Sequence, residues 1–317
     1  MADPRWAQYY DRCEDVDVDG DIFRVYLAGT EGPVVVLLHG GGHTGLTWAL
    51  TTKLLKQHCR VVAPDFRGHG ESHTRNDSDL SEATLVADTI HVLQRLLPSE
   101  HPDATERGSP LVLVGHSMGG AIAIRVASSA QLKTLVGMVV IDVVEGTALA
   151  ALSHMQAVLA NRPESFASHD EAIQWSLQTG AVRNAESARV SIPSQVVGAG
   201  DRFVWRTDLR ASAPYWKGWF TGISELFLGT TLPKVLLLAG TDRLDTALTR
   251  GQMQGKFQLL LMYGSGHVIQ EDCPDKTADA LLEFCGRLVP MTGLRTQKDI
   301  LAEKLAKARN LMPRGHT

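Results

Sequence analysis

The chain has 317 residues, 44% hydrophobic and 21% charged, enough apolar sequence to bury a large core as one domain with insertions. A net charge of −4 and a pI near 6.3 argue against nucleic acid or an anionic membrane surface as a partner, and no apolar run reaches the length of a membrane span. Cys13, Cys59, Cys273 and Cys285 form neither C-x-x-C nor a metal spacing with histidine, a usage that fits a reducing compartment, the cytoplasm or the nucleus as well, with no metal and no cofactor expected.

From the N-terminus, residues Met1 to Asp21 are polar and acidic, so neither a signal nor a transit peptide is expected. Asp15-Val-Asp-Val-Asp-Gly20 imitates the first half of a calcium loop. The twelfth position, which needs a bidentate glutamate, is Tyr26. Val16/Val18 and Phe23/Val25 alternate about Asp19-Gly20 and predict a β-hairpin instead. Val34 to Leu38 reads as a buried strand, followed by His39-Gly-Gly-Gly42. Next come a helix around 47–57, a strand at 60–64 and the turn Asp65-Phe-Arg-Gly-His-Gly-Glu-Ser72. A helix around 81–97 leads to the run Leu111-Val-Leu-Val-Gly-His-Ser-Met-Gly-Gly120.

That run is an apolar strand entering G-x-S-x-G, with a helix from Ala121 to Ala130 behind it. Gly115 and Gly119 permit a strained strand-to-helix turn that lifts the Ser117 hydroxyl over the carboxyl edge of a sheet, as a nucleophile requires. The glycine loop after Leu38 lets amides approach a developing oxyanion. The expected donors are Gly41 or Gly42 and Met118, the residue after the nucleophile. No G-K-[S/T] lies near the loop, which argues against a phosphate cradle.

Strands at 136–141, 234–239 and 257–262 follow. Tyr263-Gly-Ser-Gly266 after the last one delivers His267 to the carboxyl edge, the best-placed base among twelve histidines. His39 and His116 sit inside the motifs and are expected to orient loops. The acid is open: Asp142 and Asp242 both follow buried strands, and Asp245 is a third candidate. Strands alternating with helices predict an α/β fold, a mostly parallel sheet covered on both faces. Residues 145–230 hold no comparable strand, and helical patterns at 149–159, 170–177 and 214–228 suggest a helical cap over the active edge. Trp175, Trp205, Trp216 and Trp219 lie there, either as packing or as an aromatic docking groove. Helices at 275–289 and 297–309 complete a single domain, 1–317, whose tail from about 293 reads as a solvated amphipathic helix.

Longer stretches resemble the protein phosphatase methylesterases of the α/β-hydrolase superfamily. They are Leu38-His-Gly-Gly-Gly-His43, Gly115-His-Ser-Met-Gly-Gly-Ala-Ile-Ala123, Ile141-Asp-Val-Val-Glu-Gly-Thr-Ala148 and Arg183-Asn-Ala-Glu-Ser-Ala-Arg-Val-Ser191. To these are added Tyr215-Trp-Lys-Gly-Trp-Phe220, Gly251-Gln-Met-Gln-Gly-Lys-Phe257 and Gly266-His-Val-Ile-Gln-Glu-Asp-Cys-Pro-Asp275. The resemblance implies a Ser117–His267–Asp142 triad, with Asp142 preferred over Asp242, and cap residues such as Arg189, Trp216 and Trp219 that meet a protein substrate. It implies removal of the methyl ester from the C-terminal leucine of a type 2A phosphatase catalytic subunit. A small-molecule carboxylesterase and a phosphatase-binding regulator are the alternative expectations. Two stretches depart from the family. Val196-Val-Gly-Ala-Gly-Asp201 stands where relatives often carry a long acidic insertion, and nothing beyond Met291 resembles the family.

Overall fold

The computed structural model describes residues 4–100, 108–240 and 244–292. The chain opens with a hairpin, β1 (Arg12–Val18) and β2 (Asp21–Ala28), turning at Asp19 and Gly20 with φ of 54° and 91°. Val16 pairs with Phe23, so the Asp15–Gly20 run belongs to a hairpin and not to a calcium loop. Next come β3 (Val34–Leu38), α1 (Ala49–Leu55), β4 (Arg60–Pro64), α2 (Glu82–Leu96), β5 (Leu111–His116), α3 (Met118–Ser129) and β6 (Leu135–Ile141). The segment after β6 holds α4 (Glu145–Ala160), β7 (Ser165–Phe166), α5 (His169–Thr179), α6 (Ala185–Ser194), β8 (Val196–Ala199), β9 (Arg202–Trp205), α7 (Ala213–Phe220) and α8 (Ile223–Gly229). The chain continues through β10 (Lys234–Leu238), α9 (Thr246–Met253), β11 (Gln258–Leu261), α10 (Ile269–Asp272) and α11 (Pro274–Thr292).

The main sheet runs β1-β2-β4-β3-β5-β6-β10-β11. It is antiparallel from β1 to β4 and parallel from there to β11. Residues alternate between two cores. Val36, Leu38, Leu113 and Val140 face one side with α2 and α3 residues, and Val35, Leu37, Val114 and Ile141 face the other with α1 and α11 residues. Burial on both faces explains why these strands read as unbroken apolar runs. From β3 the chain moves outward to β4, then returns to β5 on the other side. The loops after β3 and β5 therefore diverge and leave a crevice at their carboxyl ends.

The segment between β6 and β10 departs from the purely helical expectation. β7, β8 and β9 form a three-stranded antiparallel sheet in the order β7-β9-β8, and the expected helix 214–228 breaks at Gly222 into α7 and α8. The Val196–Asp201 stretch is the β8–β9 hairpin. This insert reaches the sheet through Thr44–Ser194, Thr207–Gly68, Trp219–Leu80 and Ser187–Glu271 hydrogen bonds. The first three land on loops after the carboxyl ends of β3 and β4, and the last on α10, beyond β11. Among the described residues no helix is long and apolar enough to cross a membrane. The expected helix at 297–309 and the tail lie outside the described residues.

Arg67, just beyond β4, ties the hairpin to α2. Its buried guanidinium grips Asp88 with two bonds of 2.8 and 2.9 Å and Asp21 with one of 3.0 Å. Arg67→Met should remove about 3–5 kcal/mol of stability, because the buried Asp88 carboxylate loses its partner, while Asp21 keeps Arg75. Urea titration measures this, and a loss under about 1 kcal/mol, typical of an exposed pair, would show that the network is solvated.

Candidate active site

Ser117 sits between β5 and α3 with φ 52° and ψ −120°, a conformation that L residues rarely adopt. Two glycines make it possible. A Cβ on Gly115 would lie 2.2 Å from the Gly119 carbonyl oxygen, and one on Gly119 would lie 2.4 Å from the carbonyl oxygens of Leu38 and His39. The turn is clamped on both sides: the Ser117 amide donates to the Ile141 carbonyl at 3.0 Å, and its own carbonyl accepts from Gly120 and Ala121. The half-buried hydroxyl therefore stands at the crevice between β3 and β5.

Asp142 is the first residue after β6 and also has a positive φ, 51°. Its amide donates to the Leu237 carbonyl at 2.8 Å, and Oδ1 accepts the Ala239 amide at 3.1 Å. Oδ2 lies 2.7 Å from His267 Nδ1. The carboxylate side chain is 0% exposed and the imidazole 51%, so the acid is anchored in the sheet while the base reaches solvent. Donation from Nδ1 leaves Nε2 with the lone pair, the form a general base needs. No hydrogen bond joins Ser117 to His267 among the described residues. Such contacts commonly tighten only when substrate binds. Asp245 is committed elsewhere, capping α9 through the Leu248 amide and accepting from Ser224 Oγ. Asp242 lies outside the described residues.

Three buried histidines hold this frame. His39 donates from Nδ1 to the Gly40 carbonyl and accepts the Phe66 amide at Nε2. His116 donates from Nε2 to the His267 carbonyl at 2.8 Å, with its ring 4.7 Å from the His267 ring. His69 donates from Nδ1 to the Arg67 carbonyl and accepts the Gly42 amide at 2.9 Å. The last contact corrects an expectation: the Gly42 amide is occupied by His69 and does not point to an oxyanion. The amides of Gly41 and Met118 donate to no acceptor among the described residues. A Cβ on Gly41 would lie 3.6–3.8 Å from Leu209, Met118 and Trp219, so the loop is walled by apolar groups.

Sequence reasoning placed His69 in a turn and missed its task. Asp65 was missed too. Fully buried, it accepts the Gly45 and Glu71 amides at 2.6 and 2.9 Å, and burial pushes its carboxyl up to about 7. His43, the last residue of the loop motif, lies 3.6 Å from the buried Glu271 carboxylate. The cap aromatics also require correction. Trp216 and Trp219 are each 2% exposed, with indole N–H groups donating to Ser212 Oγ and the Leu80 carbonyl, so they do not form an exposed docking groove. Trp219 instead reaches the Gly41 loop. Arg189 is exposed on α6. No group of three or more potential metal ligands occurs among the described residues.

Burial holds His39 and His116 neutral well below the ordinary range and pulls His69 down to about 4. In the unfolded chain all three take a proton below about pH 6.5. Stability is therefore present above that pH and lost as the pH falls towards 4. Asp65 acts in the opposite sense, since its folded carboxyl keeps a proton up to about 7. Three imidazoles against one carboxyl leave a net loss of stability as the pH falls through this window. Urea midpoints should fall accordingly on acidification, with a shallower slope in His69→Gln. A flat wild-type profile would mean that the imidazoles are not held neutral.

A profile of the alpha/beta hydrolase family matches residues 35–280. A probable protein phosphatase methylesterase 1 of Caenorhabditis elegans is 46% identical over 90% of this chain and 78% of its own length. The protein phosphatase methylesterase 1 of Bos taurus is 43% identical over 88% of this chain and 84% of its own. Among solved structures, E-2-(acetamidomethylene)succinate hydrolase superposes with a TM-score of 0.71 at 21% identity, covering 86% of this chain and 98% of that one, a likeness of fold alone.

Proposed function

This chain belongs to the protein phosphatase methylesterase family of α/β-hydrolases, and we propose that it removes the methyl ester from the C-terminal leucine of a type 2A phosphatase catalytic subunit, using Ser117, His267 and Asp142. The observation that carries the catalytic assignment is the 2.7 Å Asp142–His267 contact beside a serine on a strained elbow. The relatives' name and their likeness across most of the chain support the substrate.

His267 Nε2 takes the Ser117 proton as Oγ attacks the ester carbonyl, and Asp142 stabilises the resulting imidazolium. The Gly41 and Met118 amides receive the oxyanion. Collapse of the tetrahedral adduct breaks the C–O bond to methoxide, which leaves as methanol with the proton from His267. Water, deprotonated by the same imidazole, then attacks the acyl-serine; the acyl–Oγ bond breaks, His267 returns its proton to Ser117 Oγ, and the leucine carboxylate is freed. The insert serves as the cap, and Arg189 is an exposed cap residue positioned to meet protein. A reducing compartment, the cytoplasm or the nucleus too, suits the four cysteines, which are free thiols.

Mass spectrometry of a methylated phosphatase tail should show loss of the methyl group with wild-type enzyme. Ser117→Ala should lower kcat by about 10⁶ and abolish fluorophosphonate labelling. Asp142→Asn should cost about 10⁴, and Asp242→Asn less than about tenfold. The reverse ranking of the two aspartates would move the acid to the strand end after β10. Turnover of p-nitrophenyl esters with no action on the methylated protein would favour a small-molecule esterase.

A further inference from the structure

Between α4 and β7, the Arg162 guanidinium lies over the Trp205 ring with its carbon 3.4 Å from the ring centre. The platform is rigid: the Trp205 indole N–H donates to the Pro163 carbonyl at 2.8 Å, and its ring packs against Phe166 and Trp175 at 5.2 and 5.6 Å. Arg162 has no carboxylate partner among the described residues. The charge that bears on it is another cation, Arg210, whose guanidinium donates to the Leu159 carbonyl at 3.0 Å. Burial and this neighbour pull Arg162 down to about 10. Both arginines line a cavity of about 290 Å³.

Neither carboxylate of that wall, Asp208 or Glu164, is bonded to Arg162. Asp208 Oδ1 accepts the amides of Arg210 and Ala211 at 3.0 and 3.1 Å, and Glu164 is exposed. Among the described residues no hydrogen bond or ion pair joins either guanidinium to a carboxylate of that wall, the two cations repel each other, and each presents a donor fork shaped for a carboxylate or a phosphoryl group. The cavity is also adjacent to the ester site. Leu209, which lines it, is the side chain packed on the glycine loop, 2.7 Å from where a Gly42 Cβ would stand. A methylated C-terminus has lost its own carboxylate charge. Any electrostatic anchor on such a substrate must come from a residue upstream.

We propose that Arg162 and Arg210 form a subsite for one anionic side chain, a carboxylate or a phosphoryl group, of the methylated peptide, at a position upstream of the ester. The assignment rests on the reading of the site as a protein methylesterase. A single anion bridging both forks replaces their repulsion with charge-assisted hydrogen bonds and fixes the direction in which the peptide leaves the serine.

The test uses leucine methyl ester peptides carrying, at each upstream position in turn, Glu, Gln, phosphoserine or Ser. The quantity read is the ratio of kcat/KM for the anionic peptide to its neutral counterpart, measured within each enzyme so that general losses cancel. Wild type should prefer an anion by about tenfold or more at one position, mainly through KM, equivalent to about 1.4 kcal/mol. The Glu and phosphoserine arms identify which anion the subsite takes. Arg162→Gln should bring the ratio at that position near one, and Arg162→Lys should keep part of it. Arg210→Gln, which retains the Arg162–Trp205 stack, should lower it independently of any folding defect in the first variant. Cleavage of all peptides without charge preference, or a preference surviving both glutamine variants, would overturn the subsite alone. Peptides left uncut by an enzyme that still turns over p-nitrophenyl acetate would overturn the peptide reading and the subsite with it.

Discussion

The approach of α3 to the end of β3 is the constraint on which the site depends. Gly119 lies so near the Leu38 and His39 carbonyls that no side chain fits between them, and Gly115 is pressed equally hard against Gly119. That contact forces the turn at Ser117 into its rare conformation. A second strained residue, Asp142, ends the neighbouring strand. Such conformations cost about 1–3 kcal/mol each. They persist because the strands that deliver them are buried on both faces, where each fully buried aliphatic side chain contributes about 1.5–3 kcal/mol. Apolar packing thus offsets the strain that exposes the reactive hydroxyl.

Electrostatics then divides labour among similar side chains. His39 and His69 each use a bare nitrogen to accept a backbone amide, and that use requires the neutral ring. His116 turns its proton to the His267 carbonyl and so fixes the backbone of the base without competing for its ring nitrogens. His267 couples Nδ1 to a buried carboxylate at 2.7 Å while half of its side chain stays exposed. Solvent exposure and the identity of the Nδ1 partner separate His267 from His39, His69 and His116.

The core strands were legible because each is an unbroken apolar run, and the elbow was legible because glycine is demanded at fixed positions around the serine. The β8–β9 hairpin was not. Its strands are four residues long, too short for their apolar residues to show a strand period. The acid was ambiguous for a topological reason: Asp142 and Asp242 follow β6 and β10, which are adjacent and parallel, so pattern alone sends both towards the same edge. The choice between Gly41 and Gly42 depended on His69, which lies on the loop after another strand. No local pattern reports which amide a distant imidazole will occupy. Trp216 and Trp219, three residues apart on α7, mark a packed helix face, the ordinary meaning of that spacing.

The insert cannot be regarded as a substrate-recognition module separate from the chemistry. Trp219 donates to the loop that precedes α2 and also walls the Gly41 amide; Ser187 holds the Glu271 carbonyl four residues beyond the base. Arg183 is bonded through its amide to Asp272 and through its guanidinium to Gly264, so it braces the His267 loop from both sides. The hydrogen bonds that anchor this surface are the same ones that brace the loops carrying Gly41 and His267. Remote contacts raise turnover when they are realised in the transition state. A surface joined to each of these loops couples the packing of the insert to the geometry around Gly41 and His267.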